Sequence, residues 1–269
     1  MKINKFYSYI IPSIIASIFL GIYTIVDGFF VGQSLNDYGL GAINLAWPIT
    51  SLVQTLGLGI GLAGGVIMST SMGEGNTKKA YKAQSMVLVL ILLFGIVLTV
   101  ILPLLLPTIL HLFNATGQLY DYAHEYLLII MLGSIFHLMG GGLLPLVKNK
   151  GKMKYAMLIS IMGTACNFIL DYFWIYKYDF GLTGAAVASV LSQAVIGIGC
   201  LILLLKDDFK FSLDLKIARN ILRSFFAPFI LNYSYSIILI FNNYETLKYM
   251  IILYRHLRHN HYILMFHNY

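Results

Sequence analysis

The chain has 269 residues, of which 59% are hydrophobic and only 11% are charged. Soluble domains carry about 25% charged residues, so this composition excludes an ordinary water-soluble domain and indicates an all-α, polytopic transmembrane helix bundle. The net charge of +7 comes from Lys and Arg placed between apolar runs, as topology signals are, which argues against a nucleic-acid partner.

The apolar runs are long enough to span a bilayer, which takes about 20 residues per helix. In chain order they predict spans at residues 6–32, 42–72, 85–110, 123–147, 155–176, 182–205 and 225–243. Basic residues cluster before the first span and in the second, fourth and sixth connections. By the positive-inside rule these segments are cytoplasmic. The sequence therefore predicts a multi-pass protein of a bacterial plasma membrane, with its N-terminus in the cytoplasm.

The spans divide the chain into four parts. Residues 1–205 are predicted to form a six-helix transmembrane lobe, and residues 206–224 a cytoplasmic interlobe linker. Residues 225–248 would form the seventh helix of the chain, which is the first helix of a truncated second lobe. Residues 249–269 hold four of the seven histidines and are expected to be an atypical tail, such as a frameshift or a premature stop leaves.

A weak internal repeat supports this division. Asp27 follows Pro12 by fifteen residues in the first span, and Asn243 follows Pro228 by fifteen residues in the seventh. Six spans separate the two copies, so both run in the same direction through the bilayer. A parallel repeat about an axis along the membrane normal is one of the architectures of transporters.

Two acidic residues, Asp27 and Asp171, lie well inside predicted spans. A carboxylate at the bilayer centre costs about 2.5–3.5 kcal/mol on insertion scales, and such residues usually mark ion or proton pathways. At 1.5 Å per residue, Asp27, Asp171 and Ser189 lie roughly 9–12 Å from the outer ends of their spans. Three helices therefore place a polar side chain in one layer. For each of these three residues, the alternative interpretation is a polar side chain with a purely structural role.

The neighbours of these residues enlarge the group. Asn167 precedes Asp171 by four residues, and Tyr23 precedes Asp27 by four, so each pair shares a helix face. Oxygen atoms of Asp27, Asn167, Asp171 and Ser189 could hold a hard cation such as Na⁺. Alternatively, the two carboxyl groups could share protons, because two close carboxylates do not both ionise easily.

Glycines at positions 57, 61 and 65 are spaced by four and line one face of the second span. Small residues at this spacing allow close packing of helices in membranes, so Gly57, Gly61 and Gly65 are predicted packing positions. The overlapping stretch GIGLAG matches a dinucleotide-binding pattern, but such a site needs a preceding strand and a βαβ unit, and neither is predicted.

Four stretches, taken in order, match the pattern of one family. They are P-x14-D-G-x-F-V-G in the first span, GEGN after the second, NFILDYF in the fifth and GLTGAAVASVLSQ at the start of the sixth. Over about residues 1–248 the chain resembles the multidrug and toxic compound extrusion transporters. Members have two six-helix lobes and export organic cations and other drugs in exchange for Na⁺ or H⁺. The resemblance implies an antiporter rather than an enzyme, with no cofactor besides the coupling ion.

The resemblance also implies a cation site. It places the first-span aspartate of the family on Asp27 and the fifth-span pair on Asn167 and Asp171. The sixth-span hydroxyl falls on Ser189, where many members have threonine, and the neighbouring backbone carbonyl falls on Ala185. These residues are the expected ligands of H⁺ or Na⁺.

Two further positions match the family. Tyr23 stands beside the first-span aspartate, and Pro12 corresponds to the proline near which the first helix of members bends when the aspartate is protonated. Proline removes one helix hydrogen bond and kinks a helix. Pro12 is therefore an expected conformational hinge, with a static kink as the alternative.

Other functions stay open at the level of sequence. One is an inactive truncated membrane fragment, because the second lobe of the family is largely missing from this chain. Another is a lipid-linked sugar flippase of the same superfamily, although the basic residues that such cavities favour are not found deep in the predicted spans. For an antiporter the expected partners are the lipid bilayer and a small-molecule drug or organic cation.

Overall fold

The computed structural model describes the backbone of residues 3–206, 209–234, 236–238, 240 and 241, and within residues 3–37 it describes side chains only at 10–12, 14, 15 and 18. This part of the chain is a bundle of helices joined by short turns. In chain order the helices are α1 (Ile3–Gly73), α2 (Thr77–Leu112), α3 (Gln118–Leu132), α4 (Ser134–Asn149), α5 (Met153–Asp171) with a π-helical continuation (Tyr172–Lys177), α6 (Gly181–Leu205) and α7 (Leu215–Ser224). Residues 226–234 are also helical.

The lengths and compositions of these helices fit a membrane. Among the described residues, four helical segments could cross a bilayer, and the pair α3 and α4 would make a fifth if it forms one broken span. Helix α2 exposes Leu93, Ile96, Val100 and Leu104, as a helix that faces lipid does. The predicted class, an all-α polytopic bundle, is confirmed.

Helix α1 differs from the sequence prediction, which placed a connection between the first two spans. The backbone is helical without interruption through residues 33–41. This stretch contains no proline, and isolated glycines cost a helix only about 1 kcal/mol each relative to alanine. Packing offsets that cost, because Gly39 and Ala42 are buried and a Cβ at Gly41 would lie 3.3 Å from Leu119 Cδ1.

The predicted fourth span is broken rather than continuous. Helices α3 and α4 meet at Gly133 with a bend of 58°. Gly133 has a ψ of 8° and ends α3, and the hydroxyl of Ser134 donates a hydrogen bond back to the carbonyl of Met131. Val190 of α6 occupies the space beside Gly133. The bend therefore lies where α6 packs against the fourth span.

Three glycines of α1 bring this helix close to α4, two of them against its backbone and one against a side chain. A Cβ at any of them would overlap atoms of α4, and the facing pairs are Gly57 with Leu138, Gly61 with Gly142 and Gly65 with Asn149. The residue numbers rise together on both helices, so α1 and α4 run parallel here. Close backbone approach supplies the van der Waals contact that drives helix association in lipid.

The Lys-rich connections gather on one side of the bundle. The Lys150 ammonium donates to Gln84 Oε1 at 3.2 Å, and the Gln84 amide donates to the Leu204 carbonyl at 2.9 Å. The Lys152 ammonium donates to the Leu203 carbonyl at 3.4 Å. Positive groups at a helix C-terminus offset the negative end of its dipole. The end of α6, the start of α2 and the α4–α5 turn are thereby tied together.

The start of the predicted seventh helix lies along α1. The rings of Phe225, Phe229 and Tyr233 stack in sequence at centroid distances of 5.0 and 5.6 Å. A Cβ at Gly59 would meet the Phe225 ring, and the Tyr233 hydroxyl donates to the Pro48 carbonyl at 3.2 Å. One turn further, the hydroxyls of Ser51 and Ser236 are 2.7 Å apart. Residues 235, 239 and 242–269 lie outside the described residues.

Candidate cation site

Helices α5 and α6 run antiparallel, and two glycines fix their relative level. A Cβ at Gly163 would lie 3.2 Å from the Ser192 carbonyl oxygen, and a Cβ at Gly184 would lie 3.0 Å from Trp174 Cβ. Each glycine therefore lets the two helices approach closely, one toward the Lys-rich side and one toward the opposite side. The polar residues of the predicted site fall between these two contacts.

The register places the predicted ligands at neighbouring heights. Since each residue advances about 1.5 Å along a helix, Asn167 lies level with the turn that contains Ser189, and Asp171 with the turn that contains Ala185. All four residues are buried, with exposed fractions of 1% for Asn167, 0% for Asp171, 2% for Ser189 and 0% for Ala185. The α5–α6 contact thus brings four predicted site residues into one buried layer.

One hydroxyl beside this layer has a hydrogen-bond acceptor, and one buried amide nitrogen in it has none among the described residues. The Ser192 hydroxyl donates to the Ser189 carbonyl at 2.8 Å. The side-chain nitrogen Nδ2 of Asn167 is buried and has no hydrogen-bond partner within the described part of the chain. An unmade buried hydrogen bond costs about 1–3 kcal/mol. Rotating the Asn167 side-chain amide by 180° would exchange the positions of its nitrogen and oxygen atoms. The oxygen would then occupy the position of Nδ2, where it could accept a cation.

Asp171 stands where the geometry of its helix changes. It is the last residue of α5, and the chain continues as the π-helical segment Tyr172–Lys177. The turn closes with hydrogen bonds from the Tyr178 amide to the Phe173 carbonyl and from the Phe180 amide to the Trp174 carbonyl. Segments of π-helix occur often at functional sites. The sequence did not predict this widening of the helix.

The first-span members of the predicted site are described only in part. Asp27 and Tyr23 belong to the helical backbone of α1, but their side chains lie outside the described residues. Helix α1 does contact both α5 and the π-helical segment. Pro12 is buried, and the α1 backbone stays helical on both sides of it. That Asp27 and Tyr23 join the layer, and that Pro12 acts as a hinge, stay predictions.

Two buried polar residues near the layer were missed at the sequence level. Ser192 and Gln193 of α6 are both buried, and the Gln193 carboxamide fills the space beside Gly140 of α4. A signal for Gln193 was available, because it follows Ser189 by four residues and shares its helix face. The lobe interior is therefore more polar around Ser189 than the predicted ligands alone imply.

His137 is the buried imidazole of α4, four residues after the bend. The sequence leaves it open between a proton carrier and a packed neutral histidine. Its Nε2 atom has no hydrogen-bond partner among the described residues. His137 shares a face of α4 with Gly133 and Gly140, which contact α6 at Val190 and Gln193. It therefore faces α6 about one turn from Ser189.

The donor set of the layer suits a small hard cation. Within the described ranges, no group of three or more His, Cys, Asp or Glu side chains is placed to hold a metal ion. The layer instead offers one carboxylate, one carboxamide, one hydroxyl and backbone carbonyls, which are the oxygen ligands that hard cations prefer. Asn167, Asp171, Ser189 and the Ala185 carbonyl would hold Na⁺, or Asp171 would hold a proton.

Comparison with known proteins points to a single family. The MatE family model matches residues 12–173. The multidrug export protein MepA of Staphylococcus haemolyticus is 26% identical over 209 residues, which are 78% of this chain and 46% of that protein. MepA of Staphylococcus aureus strain NCTC 8325 is 22% identical over the same length. The chain thus spans about half the length of the curated relatives it matches.

Solved structures agree with this match. An outward-facing multidrug resistance MATE family transporter of the MOP superfamily has a TM-score of 0.78 and 26% identity, covering 86% of this chain and 53% of its own. An inward-facing structure has a TM-score of 0.76 and 25% identity, covering 81% and 51%. A MOP superfamily transporter from Pyrococcus furiosus has a TM-score of 0.79 and 25% identity, with coverage of 86% and 53%.

Proposed function

Because this chain belongs to the MatE family, whose members are transporters rather than enzymes, we propose that it provides the cation-coupled lobe of a secondary active efflux antiporter. The transporter would export drugs or organic cations in exchange for H⁺ or Na⁺. The observation that carries the proposal is the burial of Asn167, Asp171 and Ser189 on adjacent turns of the α5–α6 contact. The names of the relatives, multidrug export proteins, support the substrate class.

The proposed coupling is a competition between two conformations. A ligand shifts a conformational equilibrium only through its different affinities for the two states. A cation or proton at Asp27, Asn167, Asp171 and Ser189 would favour one state, and the drug would favour the other. Burial makes a carboxylate costly to ionise without a positive charge nearby, so we expect a cation or a proton to favour the state in which this layer is closed.

The proposed orientation has the N-terminus and the Lys-rich connections in the cytoplasm of a bacterial cell. The structure supports it because the contacts of Lys82, Lys150 and Lys152 collect these connections on one side of the bundle. Cytoplasmic loops carry an excess of Lys and Arg. The opposite side carries Lys177 beside the aromatic rings of Phe173 and Tyr178, as interfacial residues do.

Efflux measurements test the proposal. Cells that express the chain are loaded with a cationic dye, and export is followed under imposed pH and Na⁺ gradients. We expect Asp27→Asn and Asp171→Asn to lower gradient-driven export at least tenfold. Asp121→Asn, an exposed carboxylate in the first turn of α3, is the matched control and should keep it. Full export by both site variants would overturn the assigned cation site.

The second candidate is a membrane fragment that transports nothing by itself. The observation that favours it is the coverage, since the 209 matched residues of the chain cover 46% of each of these two MepA proteins. In this case the unmodified chain and the three variants would show equal, background export. A measurement of cation binding then tests the cation site separately from transport. A Na⁺- or pH-dependent rise in thermal stability that Asp171→Asn removes would show that the lobe keeps its cation site.

A further inference from the structure

The segment between α6 and α7 exposes its side chains alternately. Phe211, Leu213 and Leu215 are exposed, whereas Ser212 and Asp214 are partly buried. The backbone of Asp214 is extended, with φ of −150° and ψ of 103°. Successive side chains of an extended segment point to opposite sides. The three apolar side chains therefore form one row, defined here as the linker row.

The polar side of the segment is fixed to α2. The Ser212 amide donates to the Ser85 hydroxyl at 3.1 Å, and the Lys82 ammonium donates to Asp214 Oδ2 at 3.0 Å. These contacts set the direction of the segment. Because the polar side faces α2, the linker row faces away from the bundle.

Helix α7 continues this arrangement. Ile217 and Ile221 are buried, and Ile221 lies against α1 at Gly64. Its other faces are exposed and carry Lys216, Arg219 and Arg223. Between residues 209 and 224 the sequence has a single acidic residue, Asp214, and that residue is paired with Lys82. The exposed surface of the linker is thus apolar along the row and positively charged beside it.

Water is an unfavourable environment for the linker row. Leu215 is 86% exposed, and Phe211 and Leu213 are each 61% exposed. The segment follows directly after the end of α6, a helix long and apolar enough to cross the membrane, so it starts at the level of the lipid headgroups. Apolar side chains beside Lys and Arg are the pattern of segments that lie in an anionic membrane interface.

We propose that residues 209–224 bind the anionic lipid surface of the membrane, with Phe211, Leu213 and Leu215 inserted among the acyl chains. Lys210, Lys216, Arg219 and Arg223 hold the anionic headgroups. The linker then connects α6 to the following helix as a strap in the membrane plane, fastened to α2 on one side and to lipid on the other. This binding is independent of transport and of the cation site.

Depth-dependent fluorescence tests the proposal in the full chain. The chain, with Cys166→Ala and Cys200→Ala, receives Leu213→Cys labelled with an environment-sensitive dye and is placed in lipid nanodiscs. We expect acyl-brominated lipids to quench this dye at least threefold more than the same dye at Lys78→Cys, an exposed position in the first turn of α2. Aqueous iodide should show the reverse order. A dye at position 213 that iodide reaches as readily as position 78 would overturn the insertion.

Lipid composition tests the electrostatic part. We expect stronger quenching at position 213 in discs that contain phosphatidylglycerol than in discs of phosphatidylcholine alone. Lys216→Gln, Arg219→Gln and Arg223→Gln together should remove at least half of this difference, and Lys78→Gln with Lys79→Gln should leave it unchanged. Both faces of the disc carry the same lipids, so the result does not depend on orientation. A difference that persists in the triple variant would overturn the role of these three residues.

Discussion

The carboxylate of Asp214 binds Lys82 and caps α7 at the same time. Its Oδ2 atom lies 3.0 Å from Lys82 Nζ, and its Oδ1 atom accepts hydrogen bonds from the amides of Lys216 and Ile217 at 3.0 and 3.3 Å. An acidic N-cap also favours the positive end of the helix dipole. One side chain therefore determines both where the linker is fastened and where α7 begins.

This double role predicts a pH dependence of the linker. The hydrogen bond from Lys82, followed by the backbone hydrogen bond from Ile217, lowers the pKa of Asp214 below its ordinary value of 3.8. Its contribution is complete above pH 3.8 and is lost as the pH falls from there through the lowered pKa. We expect the protection factors of residues 209–217 in hydrogen exchange, which correct for the intrinsic pH dependence of the rate, to be constant near neutral pH and to fall only below this range.

Asp214→Asn removes the ion pair with Lys82 but keeps the N-cap of α7, since asparagine still accepts hydrogen bonds from the helix amides. The variant should exchange faster than the unmodified chain at neutral pH and should lose the acid transition. An acid transition of unchanged midpoint in this variant would show that another group titrates.

The glycine contact between α1 and α4 predicts the effect of a single methyl group. A Cβ at Gly61 would overlap the backbone of Gly142. Overpacking that forces backbones to move costs about 1–3 kcal/mol. Gly61→Ala should therefore lower the thermal midpoint in detergent. Gly73→Ala is the control, because nothing lies within 4 Å of its Cβ position. Equal midpoints for the two variants would contradict backbone contact at Gly61.

A disulfide can report the position of the helix that follows α7. The hydroxyl oxygens of Ser51 and Ser236 are 2.7 Å apart, close to the separation of about 2 Å that a disulfide requires. Ser51→Cys with Ser236→Cys, in a chain without Cys166 and Cys200, should cross-link under mild oxidation. Ser234→Cys replaces Ser236→Cys in the control, because the Ser234 hydroxyl donates within its own helix to Leu231. Cross-linking in the control alone would contradict the packing.

His137 offers a test of the packed, neutral interpretation. Its Nε2 atom is buried without a partner among the described residues, and an unsatisfied buried polar atom costs about 1–3 kcal/mol. His137→Leu, of similar volume, should therefore raise the unfolding free energy by roughly 1 kcal/mol. His111→Leu, at an exposed position, should change it by about 0.5 kcal/mol or less. A marked loss of stability in His137→Leu would mean that the imidazole has a polar partner.

The sequence predicted the helical class and the buried polarity of Asn167, Asp171 and Ser189. Long apolar runs are a local property, and a charged or amide group inside one is visible without knowledge of the fold. The continuity of α1 through residues 33–41 and the bend at Gly133 were not predicted. Both depend on partners that are distant in sequence, Leu119 and Val190.

Three other features could not be predicted from the sequence for a similar reason. A π-helical turn after Asp171 changes the hydrogen-bond ladder without any special residue to mark it. Alternation of apolar and polar residues is visible in the linker sequence FSLDL, but the side that faces the bundle is set by Lys82 and Ser85 of α2. Which residues meet at one level of α5 and α6 follows from the placement of Gly163 and Gly184.

The parallel contact of α1 with α4 also limits how the lobe can deform. Backbone atoms of α4 lie against α1 at Gly57 and Gly61, and the Asn149 side chain lies against Gly65 one turn further; helices interlocked in this way do not slide or roll past each other without separating. Bending of α1 is therefore confined to the part that precedes Gly57, which includes both Pro12 and Asp27. A conformational change that begins at the proposed cation site would therefore move the N-terminal half of this helix, while its second half stays fixed against α4.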